Sequence, residues 1–137
     1  MKAAVVERDE REAELRFVLN YGHTIGHALE AASGYATYTH GEAVALGMAG
    51  EARLACRLGL ADAQTLERQE RLLSVLGLPI RMRPLDSSAV LSAMRRDKKG
   101  RDGRLPFVLA PTIGSFRIVH DVTEDDVRAV LAEITTC

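Results

Sequence analysis

The sequence predicts a mainly α-helical domain with one small β-hairpin near residues 105–119. Three observations lead there. From Glu42 to Leu58 the run EAVALGMAGEARLACRL places Val44, Met48, Ala52 and Ala55 on one stripe of a helix and Leu46, Ala49, Arg53 and Cys56 on another. Periodic apolar segments stop at glycines, at Gly34, Gly59 and Gly77. Only two short extended runs occur, and the turn-rich Pro111-Thr112-Ile113-Gly114-Ser115 joins them. At 137 residues, 47% apolar and 27% charged, the chain fits one domain over residues 1–137 with a real core.

The elements follow in order. Residues 8–18 are charged and glycine-free and suit a helix with Leu15, Val18 and Leu19 on one side. Gly22 and Gly26 interrupt the helical pattern, since Gly costs about 1 kcal/mol against Ala in a helix interior. Either something approaches the backbone closely there, or a helix restarts near Gly22. His27 to Ala32 is again good helix, and residues 35–40 read as a polar and aromatic connection. The 42–58 helix is small-residued nearly all round, which suits close packing inside a helical core. Asp62 or Ala63 to Leu76 is amphipathic and ends at Gly77 and Pro79. Asp86-Ser87-Ser88 caps a short helix through Met94, and Arg95 to Arg104 reads as a basic loop. Leu105 to Ala110 and Phe116 to Val119 form the hairpin, and Thr123 caps a last helix to about Ile134, with Asp126 at its third position.

Net charge is −1, so nothing electrostatic points to nucleic acid or an anionic membrane surface. No apolar run reaches the ~18 residues of a membrane span, and no signal peptide is visible. Two cysteines, Cys56 and Cys137, make no disulfide framework, so a cytoplasmic location is expected.

Two of the four histidines stand in NYGHTIGHALE, Asn20 to Glu30. On a helix, His23 and His27 at i and i+4 share a face and suit one metal ion. His40 opens HGE after a turn, and three imidazoles with Glu42 would suffice for zinc. Spacing alone leaves equal room for histidines that merely fill polar niches. It equally allows Glu42 as an acid at a helix N-terminus, and His120 as a surface residue.

Glu12, Arg16 and the run from Leu19 to Glu30, then HGEAVALGM from His40, closely resemble 3-dehydroquinate synthase. Asp97-Lys98-Lys99, Gly103 and Phe107-Val108-Leu109 resemble the late segment of that family, so the likeness covers essentially the whole chain. Tyr21, where Phe is common, and the short 35–40 connection depart from it. The resemblance implies the helical, metal- and substrate-binding C-terminal domain, with an N-terminal NAD-binding domain absent from this sequence. It implies a zinc (or cobalt) ion held by His23 and His40 and completed by a glutamate with no counterpart here. It implies His27 as an acid/base group and Glu12 as a catalytic partner. Arg16, Asn20, Lys98, Lys99 and Lys2 would bind substrate. The family turns 3-deoxy-D-arabino-heptulosonate 7-phosphate into 3-dehydroquinate and phosphate in the shikimate pathway of aromatic amino acid biosynthesis, using NAD catalytically. A homo-oligomer is expected for the complete enzyme, and little or no activity for this chain alone. Chemically the set is coherent: a metal acidifies a bound hydroxyl, a neighbouring imidazole relays the proton, and cations neutralise carboxylate and phosphate. Without the resemblance, Glu12 and Arg16 read as a surface i,i+4 pair and residues 95–104 as a solvated charge run.

Overall fold

In the computed structural model the described residues are 20–34, 37–101, 103, 105–112 and 114–135. They form five helices and one two-stranded antiparallel hairpin: α1 (His23–Ala32), α2 (His40–Arg57), α3 (Ala63–Val75), α4 (Ser87–Lys99), β1 (Phe107–Leu109), β2 (Arg117–Val119) and α5 (Glu124–Ile134). Lys2, Glu12, Arg16 and the helix expected over 8–18 lie outside the described residues. No helix among the described residues is long and apolar enough to cross a membrane.

The ends of these helices follow local chemistry. Thr39 caps α2 in a capping box with Glu42, Asp62 and Asp86 cap α3 and α4, and Thr123 closes a second box with Asp126 on α5. At the far ends of α2 and α3, Gly59 and Gly77 take positive φ and the chain turns back in paired bonds. Gly59 and Leu60 amides donate to the carbonyls of Cys56 and Ala55, and Gly77 and Leu78 amides to those of Ser74 and Leu73.

α2 is the central element and packs against α1, α3, α5 and β1. Its buried residues, among them Ala43, Leu46, Ala49, Ala52, Leu54 and Ala55, lie around most of its circumference. Ile25 and Leu29 of α1, Val90 and Leu91 of α4, and Val130, Leu131 and Ile134 of α5 fill the same core. In the hairpin Phe107 pairs with Val119, Val108 with Ile118 and Leu109 with Arg117, and β1 is buried along its length. The strands are shorter than the extended runs in the sequence.

Two expectations need correction. Residues 95–99 are not loop: α4 runs on through Lys99. Arg101 at its end bonds Asp97 one turn back at 3.1 Å, and Arg96, Lys98 and Lys99 complement the negative end of the helix dipole. His40 does not close the 35–40 connection; it is the first residue of α2.

The glycines of the histidine stretch serve both purposes the sequence left open. Gly22 caps α1 at φ 83°, so a helix does restart there. α1 and α2 also run antiparallel in backbone contact. A Cβ on Gly47 would lie 1.9 Å from the Gly22 carbonyl oxygen, and one on Gly22 would lie 2.5 Å from that of Val44. At Gly26 the corresponding approach, to Ala43 O, is 3.0 Å. Behind this contact Glu51 of α2 is fully buried, and the Gly22 amide donates to its Oε2. Next to it the half-buried Tyr21 hydroxyl donates to Gln69 of α3. Burial holds the Glu51 carboxyl well above its ordinary range, against the opposing pull of the Gly22 amide.

Two outcomes follow. Gly47→Ala is expected to cost about 3 kcal/mol or more and Gly26→Ala about 1 kcal/mol in urea unfolding. Gly41→Ala, with open space around it, is expected to cost nothing measurable. Equal losses at all three positions would refute the close contact. For Glu51 the folded pKa lies above the ordinary 4.5, so its contribution to stability is full below that pH and is lost as pH rises toward the folded value. Melting temperature is therefore expected to fall more steeply with rising pH in the wild type than in Glu51→Gln; parallel curves would contradict a neutral buried acid.

Candidate functional site

The site is built where the start of α2 lies along the histidine-bearing face of α1. His23 is the first residue of α1, its amide bonded to the Asn20 carbonyl at 2.9 Å, and His27 stands one turn further on the same face. The antiparallel contact of α1 and α2 brings His40 beside both. Ring centroids lie 5.3 Å apart for His23 and His27, 5.5 Å for His23 and His40, and 6.0 Å for His27 and His40. All three imidazoles are reachable from solvent: His27 and His40 are exposed and His23 is half-buried.

Two of the rings are tethered. His40 Nδ1 lies 2.7 Å from Glu30 Oε1, and His23 Nδ1 lies 3.4 Å from the Tyr21 carbonyl oxygen. His27 has no hydrogen-bond partner among the described residues. One ligand atom each from His27, Glu30 and His40 also fall within 4.8 Å of one another. A donor set of imidazoles with one carboxylate suits a borderline divalent ion such as zinc.

A cleft of about 440 Å³ opens beside the rings, between α1 and α4, with His27, Glu30, His40 and Asp97 on its polar side and Ala31, Ala93 and Met94 on its apolar side. A smaller recess adjoins it, lined by Asn20, His23, His27, Asp97 and Arg101. Thr24 fixes this corner: its hydroxyl donates to the Pro106 carbonyl at 2.6 Å and ties α1 to the entry of the hairpin.

Of the residues singled out in the sequence, His23, His27, His40 and Asn20 come together here. Lys98 and Lys99 do not line the cleft. Lys98 lines a separate small pocket with His120 and Glu124, on the side of α4 that faces α5. Lys99 is exposed on the last turn, and Glu42 serves the α2 capping box. Arg95 is taken up by Glu124 in a bidentate pair at 2.5 and 2.7 Å, which holds the Glu124 carboxyl below its ordinary range. Three residues that sequence reasoning passed over now belong to the site: Glu30, Asp97 and Arg101. Glu30 and Asp97 stood inside quoted motifs without a role. For Glu30 a signal existed, seven residues after His23 on the same helical face.

Comparison with known proteins gives a consistent result. Residues 1–100 match the family described as 3-dehydroquinate synthase C-terminal. The chain is 50% identical over 134 residues to 3-dehydroquinate synthase of Desulforamulus reducens, covering 97% of this chain and 37% of that protein. It is 51% identical over 131 residues to the same enzyme of Caldanaerobacter subterraneus subsp. tengcongensis, covering 96% and 36%. The chain thus spans a little over a third of the length of these relatives. Among solved structures it is similar to 2-epi-5-epi-valiolone synthase from Streptomyces hygroscopicus subsp. jinggangensis with NAD+ and Zn2+ bound. There the TM-score is 0.75 at 30% identity, over 84% of this chain and 32% of that one. It is also similar to a 2-deoxy-scyllo-inosose synthase complexed with carbaglucose-6-phosphate, NAD+ and Co2+, with a TM-score of 0.68 at 27% identity over 83% and 34%.

Proposed function

The chain belongs to the 3-dehydroquinate synthase family, and from that premise we propose that it supplies the metal- and substrate-binding part of such an enzyme. The reaction proposed is conversion of 3-deoxy-D-arabino-heptulosonate 7-phosphate to 3-dehydroquinate and phosphate in the shikimate pathway. The observation that carries this reading is the convergence of His23, His27 and His40, with ring centroids 5.3–6.0 Å apart, where a cleft lined by His27 and His40 adjoins a recess lined by His23 and His27. The identity of about half to 3-dehydroquinate synthases, against 30% or less to the other two cyclases, favours dehydroquinate chemistry over theirs.

His23 and His40 are the two protein ligands of the cation, with the remaining ligand coming from outside these 137 residues. A divalent cation held there would polarise a substrate hydroxyl as a Lewis acid. His27, whose ring nitrogens have no hydrogen-bond partner among the described residues, takes and returns the proton. Asn20, in the recess beside His23 and His27, donates to and accepts from substrate hydroxyls. The phosphate or carboxylate is met by Arg101, which lines the recess just beyond the end of α4, while Lys98 and Lys99 add positive charge to that helix end without lining the cleft. Lys2 and Arg16 are proposed as further substrate-binding residues and Glu12 as a catalytic partner; all three lie outside the described residues. No Gly-rich phosphate loop occurs in this sequence, so the nicotinamide cofactor is assigned to a separate segment.

A second reading has an observation of its own. The ligand atoms of His27, Glu30 and His40 lie close enough to hold a metal without outside help, as a free-standing metal-binding module would.

The two readings part in zinc titration of the chain. Under the first, His23→Ala and His40→Ala weaken binding well beyond ~10-fold, the low end of an outer-shell loss, while His27→Ala leaves it nearly unchanged. Loss of zinc on His27→Ala, with His23→Ala harmless, would transfer support to the module. Phosphate release is expected only when the chain is joined to an NAD-binding portion from a relative. In that assembly His27→Ala is expected to lower kcat about 10²–10⁴-fold. Turnover by the 137-residue chain alone would contradict the division of labour.

A further inference from the structure

We propose that Glu30 is a positioning residue for His40: it fixes the ring with the proton on Nδ1 and turns Nε2 toward the cation. The inference rests on the reading of His23 and His40 as metal ligands and deepens it, because it assigns a role to a residue which that reading leaves idle.

The geometry points to orientation rather than ligation. Glu30 Oε1 and His40 Nδ1 are 2.7 Å apart, the length of a charge-assisted hydrogen bond. An ionised carboxylate only accepts, so the ring nitrogen facing it carries the hydrogen and the opposite nitrogen keeps its lone pair. The Glu30 side chain is 13% exposed whereas that of His40 is 60% exposed. The carboxylate is set against the protein and the ring reaches out past it. That is the arrangement of a support behind a ligand. Metal-bound imidazoles commonly donate their second N–H to a carboxylate or a backbone carbonyl, which fixes tautomer and ring angle.

His23 supplies an independent parallel. Its Nδ1 faces the Tyr21 carbonyl at 3.4 Å, so it too is tethered through Nδ1, with Nε2 unpartnered among the described residues. His27 has no such tether among the described residues. The two rings with a backing acceptor are the two proposed as ligands, and the ring without one is the proton carrier. Glu30 is therefore placed behind a ligand rather than among the ligands.

Long-range proton–nitrogen NMR on the metal-free, nitrogen-labelled chain at mildly alkaline pH reads the tautomer of each histidine. Expected are the Nδ1–H form of His40 in the wild type, the same form in Glu30→Gln, whose amide oxygen still accepts, and a shift toward Nε2–H in Glu30→Ala. Zinc titration of the same proteins is expected to show a loss of about 10–100-fold for Glu30→Ala and substantial rescue by Glu30→Gln. A wild-type His40 carrying its proton on Nε2, or a tautomer unmoved by Glu30→Ala, overturns the proposal. So does a zinc loss in Glu30→Gln equal to that in Glu30→Ala, the mark of a direct ligand. The tautomer needs no metal, so it judges the Glu30–His40 pair by itself. The His23→Ala and His40→Ala titrations judge the ligand reading separately.

Discussion

The contact between the backbones of α1 and α2 governs the rest of the molecule. Helices separated by ordinary side chains pack with axes about 8–10 Å apart. Here Gly22, Gly26 and Gly47 remove the side chains at the crossing, and the peptide groups themselves meet. The consequence is felt a few turns away. With the helices that close, the start of α2 lies against the face of α1 that carries the histidines, and Glu30 is within a hydrogen bond of His40. Glu51 serves the same joint from behind by accepting the Gly22 amide, a group that no side-chain cap on α1 satisfies.

The cleft beside the rings divides its chemistry by element. α1 and α2 bring imidazoles and one carboxylate, while α4 brings a small apolar wall and the Asp97–Arg101 pair. Ala93 of α4 and Ala31 of α1, with Met94, make up the apolar side of the cleft. Two of the arginines of the basic run have opposite situations. Arg95 is held by Glu124 toward α5, while Arg101 lies in the recess beside Asn20 and His23. Composition alone treats these cations as one patch. The helix separates them by angle, and only one side faces the histidines.

Much of this was legible in the chain. The caps at Asp86 and Thr123, the glycine stops at 59 and 77 and the hairpin across residues 111–115 are local chemistry, and local chemistry is written in sequence. The length of α4 was not, because a dense charge run looks like loop until the Asp97–Arg101 spacing and the helix dipole are considered together. The start of α2 was readable in hindsight from Thr39 and Glu42, three residues apart. His23, His27 and His40 were visible as a motif, but their distances were not, since those depend on a crossing set by glycines on two helices. Arg101 had no signal at all: which cation faces the cleft depends on what lies across from α4. Lys98 shows the converse, a residue drawn toward the site by its motif and found on the side of the helix near Glu124.

The glycine joint also bears on which ions the proposed site would tolerate. A crossing with no side chains leaves little that is soft to compress, which resists spreading or sliding of the two arms to suit an occupant of different radius. Zinc-to-nitrogen bonds are about 2.0–2.1 Å, whereas calcium seeks six to eight oxygens at about 2.3–2.6 Å. Imidazoles mounted on such a frame would therefore discriminate by size as well as by donor type, and that selectivity would reside in residues that never touch the ion.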